Sequence, residues 1–206
     1  MDKNPQATWN TNGYSAEVTE ATDKKLHEKT LYEVLEGMAN GHSIFTDYGD
    51  SVQENYAIID GIQKLFEILA DEHRLPYNDT LRGIVIHGFE IYKERIGYLI
   101  TNSFKDHHSS IKNRDRRILG GDSCNINLDE CANKHTSFSL DKTISGALGS
   151  HSRKGCIPKY KLVTLCMCYS LSTYPDLPGW QEIIQNNIRK FEKAQLERMG
   201  IDNPHL

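Results

Sequence analysis

A strand that cannot be stable alone is the feature that most restricts this fold. In "HTSFSLDKTISGAL", residues 135–148, Phe138 and Leu140 alternate with Ser137 and Ser139. This alternation gives an extended segment one apolar face and one polar face. A helical pattern follows without a loop, and a second helical pattern follows a proline. Because a single strand leaves its edge and its apolar face unpaired, this strand needs a partner strand.

An internal repeat supplies a candidate partner. The segment 54–92 aligns with the segment 136–174 at a constant offset and without a gap. The aligned pairs include Tyr56 with Phe138, Ile58 with Leu140, Ile62 with Ile144, Phe66 with Leu148, Pro76 with Pro158, and Ile84 with Cys166. The apolar pattern breaks where Leu69 falls on His151. Both copies therefore share the order of strand, helix, turn and helix.

This order of elements resembles the ribbon-helix-helix family, the superfamily of the Arc and Met repressors. The match is closest in "FSLDKTISGAL" followed by "GCIPKYKLV", and it is looser in "YAIIDGIQKLF". The two segments together make up less than half of the chain. The resemblance implies that two units pair their strands antiparallel and bury the apolar strand faces on interlocked helices. Their polar faces then form an outward ribbon that fits the major groove of DNA.

The predicted fold class is mainly α with a short two-stranded antiparallel β-ribbon, in which tandem ribbon-helix-helix units form a pseudo-dimer with flanking helices. The predicted divisions are a disordered arm (1–22), an N-terminal helix and connector (23–50), a first unit (51–98), a polar and basic linker (99–134), a second unit (135–175) and a C-terminal amphipathic helix (176–206). The units can pair within one chain or between chains. A linker of about 35 residues favours pairing within one chain, because tethering raises the effective concentration.

The resemblance assigns DNA base contacts to outward-facing strand residues. These are Gln53, Asn55 and Ala57 in the first strand, and His135, Ser137 and Ser139 in the second, with Asp141 at its end. Asn and Gln can bind adenine with two hydrogen bonds, Ser can bond to more than one base, and Ala can only touch a thymine methyl group. Both strands lack the long basic reader typical of the family. The same pattern also suits a ribbon whose polar face meets only solvent.

The resemblance assigns phosphate contacts to the start of the second helix in each unit, where backbone N–H groups and the helix dipole favour anions. The candidates are Asn78 and Thr80 in the first unit, and Arg153, Lys154, Lys159, Tyr160 and Lys161 in or before the second helix of the second unit. Asn78 is a good N-cap residue, whereas Asp79 would repel a phosphate. The second unit is therefore better suited to DNA, and a solvated basic turn is the alternative.

The charge distribution supports the same division. The chain has a net charge of -4, with -5 in residues 1–50, -3 in 51–100, +5 in 101–174 and -1 in 175–206. This balance excludes a uniformly basic nucleic-acid binder, and a polyanion would meet the third of these segments. The acidic N-terminal half instead suits a protein partner.

The cysteines do not indicate a disulfide framework, because they number five and two of them lie in one apolar helical stretch. Cys124, Cys131 and His135 are residue types that bind zinc. Their spacing, C-x6-C-x3-H, lacks the tight C-x2-C pair of zinc sites, so free cysteines are the favoured interpretation. We expect no bound metal and no cofactor.

Two classes of function stay open. The chain has no Gly-rich phosphate loop and no catalytic motif, so we do not expect an enzyme. It has no signal peptide and no apolar run of membrane-spanning length, so we expect a cytoplasmic protein. The first class is a DNA-binding transcriptional regulator, or a plasmid or phage accessory factor. The second is a protein-interaction module, like an antitoxin or an inhibitor, on the same scaffold. The expected partners are double-stranded DNA, a protein bound by the acidic half, and a second copy bound through the C-terminal helix.

Overall fold

The computed structural model of the chain describes residues 24–45, 51–58, 60–98, 134–155 and 157–198. Predictions for the arm at 1–22 and for most of the linker, including Cys124 and Cys131, lie outside these residues. None of the helices in the described ranges is long and apolar enough to cross a membrane.

Six α-helices and one two-stranded antiparallel sheet make up the described part of the chain. In order they are α1 (Leu31–Ala39), β1 (Ser51–Ile58), α2 (Asp60–His73), α3 (Tyr77–Tyr92), β2 (Lys134–Asp141), α4 (Lys142–Gly155), α5 (Lys159–Leu171) and α6 (Gln181–Arg198). A short 3-10 helix, Leu26–Glu28, precedes α1, and a π-helical turn, Lys93–Gly97, extends α3. The prediction of a mainly α fold with a short antiparallel ribbon is confirmed.

The two strands pair with each other within the chain. Asn55 lies opposite Ser137 at the middle of the ribbon, and Ser51 lies opposite Asp141 at one end. On the inward face, the buried rings of Tyr56 and Phe138 have centroids 5.7 Å apart. The apolar face of the ribbon therefore belongs to the hydrophobic core, and neither inner strand edge is left unpaired.

The helices of the second half begin at the positions that the internal repeat aligns with the helix starts of the first half. Asp60 and Lys142 begin α2 and α4, while Tyr77 and Lys159 begin α3 and α5. These local starts match because the same strand, turn and proline signals occur at the same spacing in both halves.

The two connections between helices share one backbone hydrogen bond. The matching hydrogen bonds run from Leu75 N–H to Ala70 C=O at 2.9 Å, and from Ile157 N–H to Ser152 C=O at 3.0 Å. Pro76 and Pro158 are the N-cap residues of α3 and α5, with φ of -57° and -53°. Since the proline ring holds φ near the helical value, each proline favours the start of the helix that follows.

Helices α3 and α5 cross at the centre of the core. Gly88 on α3 lies directly against the backbone of α5, because a Cβ atom at this position would be 1.7 Å from the carbonyl oxygen of Cys166. Cys166 and Cys168 are buried free cysteines, and burial raises the pKa of the Cys168 thiol to about 12. Their role is packing, as small side chains at a close helix contact.

His151 occupies the one position where the internal repeat loses its apolar character. Its ring lies edge-on to Phe89 and Tyr92, with centroid distances of 5.4 and 5.7 Å. Burial lowers the pKa of His151, which favours the neutral ring. Aromatic packing therefore replaces the aliphatic packing that Leu69 provides in the first half.

Helix α6 packs on α5 within the same chain. Its residues Ile184, Ile188 and Phe191 are buried, whereas Ile183 is 47% exposed. The apolar face on which association with a second copy was predicted is therefore largely used inside the chain. That association stays a prediction, with Ile183 as its main exposed apolar residue.

Glu192 anchors α6 to the rest of the core. The hydroxyl of Tyr169 donates a hydrogen bond of 2.6 Å to Glu192 Oε1, and Arg95 Nε lies 3.0 Å from the same oxygen. Burial and the Glu192 carboxylate raise the pKa of Tyr169, so its hydroxyl stays protonated as the donor.

We expect Glu192→Ala to lower the free energy of unfolding by about 1–3 kcal/mol, because the buried Tyr169 hydroxyl loses its acceptor. Urea denaturation followed by circular dichroism measures this change. Glu197→Ala on the same helix is the control, since its side chain is 63% exposed and its ion pair with Lys193 spans 3.9 Å. The control should change stability by less than about 0.5 kcal/mol, and equal losses would contradict the anchoring role.

Candidate nucleic-acid interface

The polar face of the ribbon points away from the helices. Gln53, Asn55, Ser137 and Ser139 are all exposed, while the residues between them face inward. Gln53 lies opposite Ser139, and Asn55 lies opposite Ser137. The Ser137 hydroxyl donates a hydrogen bond to Asn55 Oδ1. The structure thus brings four of the six predicted base-contact residues together on one polar surface.

The other two predicted base contacts, Ala57 and His135, lie opposite each other in the same ribbon. Their side chains lie outside what the structure describes, as do the other two zinc candidates, Cys124 and Cys131. Among the residues that are described, no group of three or more His, Cys, Asp or Glu side chains could hold a metal ion.

The second helix of each half begins beside the strand of the other half. Tyr77, the first residue of α3, has its hydroxyl 3.4 Å from Thr136 Oγ1 on β2. Lys159, the first residue of α5, has Nζ 2.5 Å from Glu54 Oε1 on β1. The N-termini of both helices therefore lie next to the ribbon.

The starts of these two helices have no side-chain cap. Neither Pro76 nor Pro158 makes a side-chain cap hydrogen bond. The first N–H groups of a helix have no partner within the helix, and a proline side chain cannot accept from them. The prediction of Asn78 as N-cap is wrong, because Pro76 is the cap and Asn78 lies one residue inside α3.

Two predicted phosphate contacts are bonded inside the protein instead. Thr80 is 0% exposed, and its hydroxyl donates to the Pro76 carbonyl at 3.2 Å. Burial makes it unavailable to a phosphate, and we correct that prediction. The Lys159 ammonium is bound to Glu54 and donates to Ser145 Oγ at 2.9 Å. We therefore reassign Lys159 from a phosphate contact to an ion pair beneath the ribbon.

The remaining phosphate candidates lie at the surface or near it. Asn78, Arg153, Lys154 and Tyr160 are exposed, and Lys161 is partly exposed. In the sequence, residues 134–174 contain six basic residues and one acidic residue, whereas residues 51–98 contain five basic and eight acidic residues. The positive charge is therefore carried by the second half of the ribbon and its helices.

The Glu54 carboxylate is ionised at neutral pH. Burial alone would raise the pKa of Glu54, but hydrogen bonds from Lys159 and Ser145 outweigh this effect and hold the pKa below its ordinary value. Sequence reasoning missed Glu54. The available signal was an acidic residue on the inward face of an alternating strand.

A second ion pair holds the end of the ribbon. Asp141, which was expected to face outward, is buried, and Arg82 Nη2 on α3 donates to its carboxylate at 3.0 Å. The Arg82 guanidinium also lies 3.9 Å above the Phe45 ring. The expectation for Asp141 is corrected, because this contact between the two halves turns it inward.

No family model, no curated protein and no solved structure matches the chain. Its function is therefore inferred from its own residues and their geometry.

Proposed function

We propose that this chain is a DNA-binding protein of ribbon-helix-helix type, acting as a transcriptional regulator or as a plasmid or phage accessory factor. The observation that carries the proposal is the exposed polar face of the ribbon, formed by Gln53, Asn55, Ser137 and Ser139. The opposite face lies in the core, and a two-stranded ribbon has the dimensions to enter the major groove.

In this proposal the two halves are tandem units that form a pseudo-dimer within one chain. Support comes from Asn55 and Ser137, which lie opposite each other and are also aligned with each other in the internal repeat. A ribbon whose central pair consists of corresponding residues has a local two-fold axis at that pair. The same axis relates two equivalent contacts to each other. In one, Lys159 contacts β1, and in the other, Tyr77 contacts β2.

The two ends of the ribbon would read different bases. Gln53 and Ser139 lie toward one end, and Ala57 and His135 lie toward the other. The amides of Gln53 and Asn55 can donate and accept together, which suits adenine. The target site is therefore expected to be non-palindromic, unlike the site of a symmetric dimer.

Phosphate binding would come mainly from the second half. The start of α5 lies beside β1, and exposed Lys154 and partly exposed Lys161 lie before and within its first turn. The start of α3 carries Asp79, whose carboxylate lies 3.6 Å from Arg82 Nη1. This unequal charge would orient the protein on DNA.

Selection from random DNA duplexes, followed by fluorescence anisotropy with the selected duplex and a scrambled duplex, tests the proposal. We expect Gln53→Ala and Asn55→Ala each to reduce discrimination by about 5- to 150-fold, which corresponds to the loss of roughly 1–3 kcal/mol for a base contact. We expect Lys154→Ala and Lys161→Ala to weaken binding on all sequences and to reduce the salt slope by about 0.9 for each phosphate that is no longer neutralised.

Lys193→Ala is the matched control for the lysine variants, because its side chain is 69% exposed on α6, outside the ribbon and the two helices that begin beside it. It should leave affinity and salt slope unchanged. Binding that does not depend on salt, or a selection that enriches no sequence and leaves no affinity for DNA, would contradict the proposal.

The second candidate function is a protein-interaction module on the same scaffold. One observation favours it, an apolar groove of about 410 Å³ between α2 and the segment after α5. Ile68, which lines this groove beside Trp180, is 60% exposed. Exposed apolar surface of this kind is typical of interaction sites. If Ile68→Lys abolishes a partner interaction and leaves DNA binding unchanged, the groove serves a protein.

A further inference from the structure

Glu54 faces inward from the ribbon, where the alternation of β1 otherwise places apolar side chains. Its side chain is only 13% exposed. Its carboxylate accepts a hydrogen bond from the Ser145 hydroxyl and lies 2.5 Å from Lys159 Nζ. Ser145 belongs to α4 and Lys159 begins α5, so this cluster joins the strand of the first half to both helices of the second half.

The corresponding cluster on the other side of the ribbon carries no charge. In the internal repeat, Glu54 is aligned with Thr136, and Lys159 is aligned with Tyr77. Thr136 is buried, and its hydroxyl lies 3.4 Å from the Tyr77 hydroxyl. One crossing contact is therefore an ion pair, and the contact related to it by the local axis is neutral.

This difference in charge disfavours a ribbon between two like halves and favours a ribbon between the two different halves. A ribbon made of two first halves from two chains would place Glu54 against Tyr77 of the other chain, twice, with no cation. A ribbon made of two second halves would place Lys159 against Thr136, twice, with no carboxylate. Either arrangement leaves partly buried charges without their partners, which is strongly unfavourable.

We propose that the Glu54–Lys159 pair selects the partner of each strand, favouring the ribbon between the two different halves and rejecting ribbons between like halves of two chains. The interaction surface is the inward face of β1 together with the start of α5. Specificity of this kind combines an attraction in one arrangement with uncompensated charge in the others. The inference rests on the tandem arrangement proposed above and does not require DNA binding.

Asn55 and Ser137 provide a direct reporter of pairing, because they lie opposite each other at the centre of the ribbon. In a ribbon of like halves, each would instead lie opposite its own copy. Asn55→Cys alone should therefore form disulfide-linked dimers only when first halves pair, and Ser137→Cys alone only when second halves pair. The double variant should form its disulfide within one chain. Cys124, Cys131 and Cys156 are replaced by serine throughout to remove background.

With native Glu54 and Lys159, we expect both single-cysteine variants to stay monomeric on mild oxidation at roughly 100 µM. This concentration is below the roughly millimolar effective concentration that the tether provides.

The variant Glu54→Thr with Lys159→Tyr has the neutral pair on both sides of the ribbon. It should raise the disulfide-linked fraction of each single-cysteine chain by about tenfold or more. Glu54→Lys with Lys159→Glu restores the ion pair in reverse and should stay monomeric. Exchange of the exposed Lys193–Glu197 pair on α6 is the control and should have no effect.

The outcomes separate this inference from the proposed arrangement. If the neutral variant stays monomeric and still forms the disulfide within one chain, the linker alone sets the pairing and the inference is overturned. If the double-cysteine chain with native Glu54 and Lys159 forms no internal disulfide, the tandem ribbon itself is contradicted.

If the neutral variant fails to fold, the single variant Lys159→Glu is compared with the double variant Lys159→Glu and Glu54→Lys to test charge selection. Rescue by the second substitution supports charge selection, and no rescue overturns it.

Discussion

Gly88→Ala is expected to unfold the chain, or to lower its free energy of unfolding by more than about 4 kcal/mol. The added Cβ atom would lie 1.7 Å from the carbonyl oxygen of Cys166 and 2.4 Å from the carbonyl carbon. These are backbone atoms of α5, so no side-chain rotation relieves the overlap. Helices α3 and α5 must separate, and separation opens the most buried part of the core. Thermal and urea denaturation measure the loss.

Gly146→Ala is the matched control for this prediction. Gly146 also lies within a helix, α4, but a Cβ atom there would meet nothing within 4 Å. This substitution should stabilise the chain by about 0.5–1 kcal/mol, because alanine loses less conformational entropy in a helix than glycine does. Similar stabilities for the two variants would contradict the close contact between α3 and α5.

Mild acid is expected to destabilise the fold through His87. The ring is fully buried, with Nδ1 2.9 Å from Ser170 Oγ and Nε2 3.0 Å from the Lys29 carbonyl oxygen. The carbonyl can only accept, so Nε2–H donates to it and Nδ1 accepts from the Ser170 hydroxyl. The neutral ring thus joins α3, α5 and the segment before α1, and burial lowers the pKa of His87 from 6.5 to about 4.

The sign of the pH effect follows from this lowered pKa. The unfolded chain binds the proton more readily, so the contribution of His87 is fully present above the unfolded pKa of 6.5 and is lost as pH falls toward the folded value of about 4. We expect a loss on the order of 3 kcal/mol by about pH 4, of which about 2 kcal/mol occurs between about pH 7 and pH 5. Urea denaturation at several pH values measures it.

The His87→Gln variant isolates this contribution. It should be less stable than the parent near neutral pH, and its stability should depend less on pH between about pH 7 and pH 5. His151 acts in the same direction because its pKa is also lowered, so some dependence is expected to persist. Glu33 and Glu54, whose pKa values are lowered, titrate below this window. An unchanged pH slope in His87→Gln would contradict the assignment.

Local sequence signals predicted the elements well because each element depends on nearby residues. The alternation around Phe138, the prolines at 76 and 158 and the period of α6 correspond to a strand, two helix starts and a helix in the structure. The exposure of Asn55 and Ser137 also follows from strand alternation, once the inward face is known.

Contacts between the two halves were not predictable from such signals. Lys159 had the charge of a phosphate contact, yet it pairs with Glu54, which lies 105 residues earlier. Asp141 was likewise turned inward by Arg82, 59 residues earlier. Which charges meet depends on how the strands pair and how the helices cross. The period of α6 predicted an apolar face but could not indicate that α5 covers it.

The crossing of the two halves also sets the order of events during synthesis. The residue opposite Asn55 in the ribbon is Ser137, which is translated 82 residues later. At about 5–20 residues per second, β1 waits roughly 4–16 seconds for its partner strand, with its edge and apolar face unpaired. The fold also requires closure of a long loop before these contacts form, which slows folding relative to a helical bundle with local contacts. We therefore expect the nascent N-terminal half to be the form of this protein most exposed to aggregation.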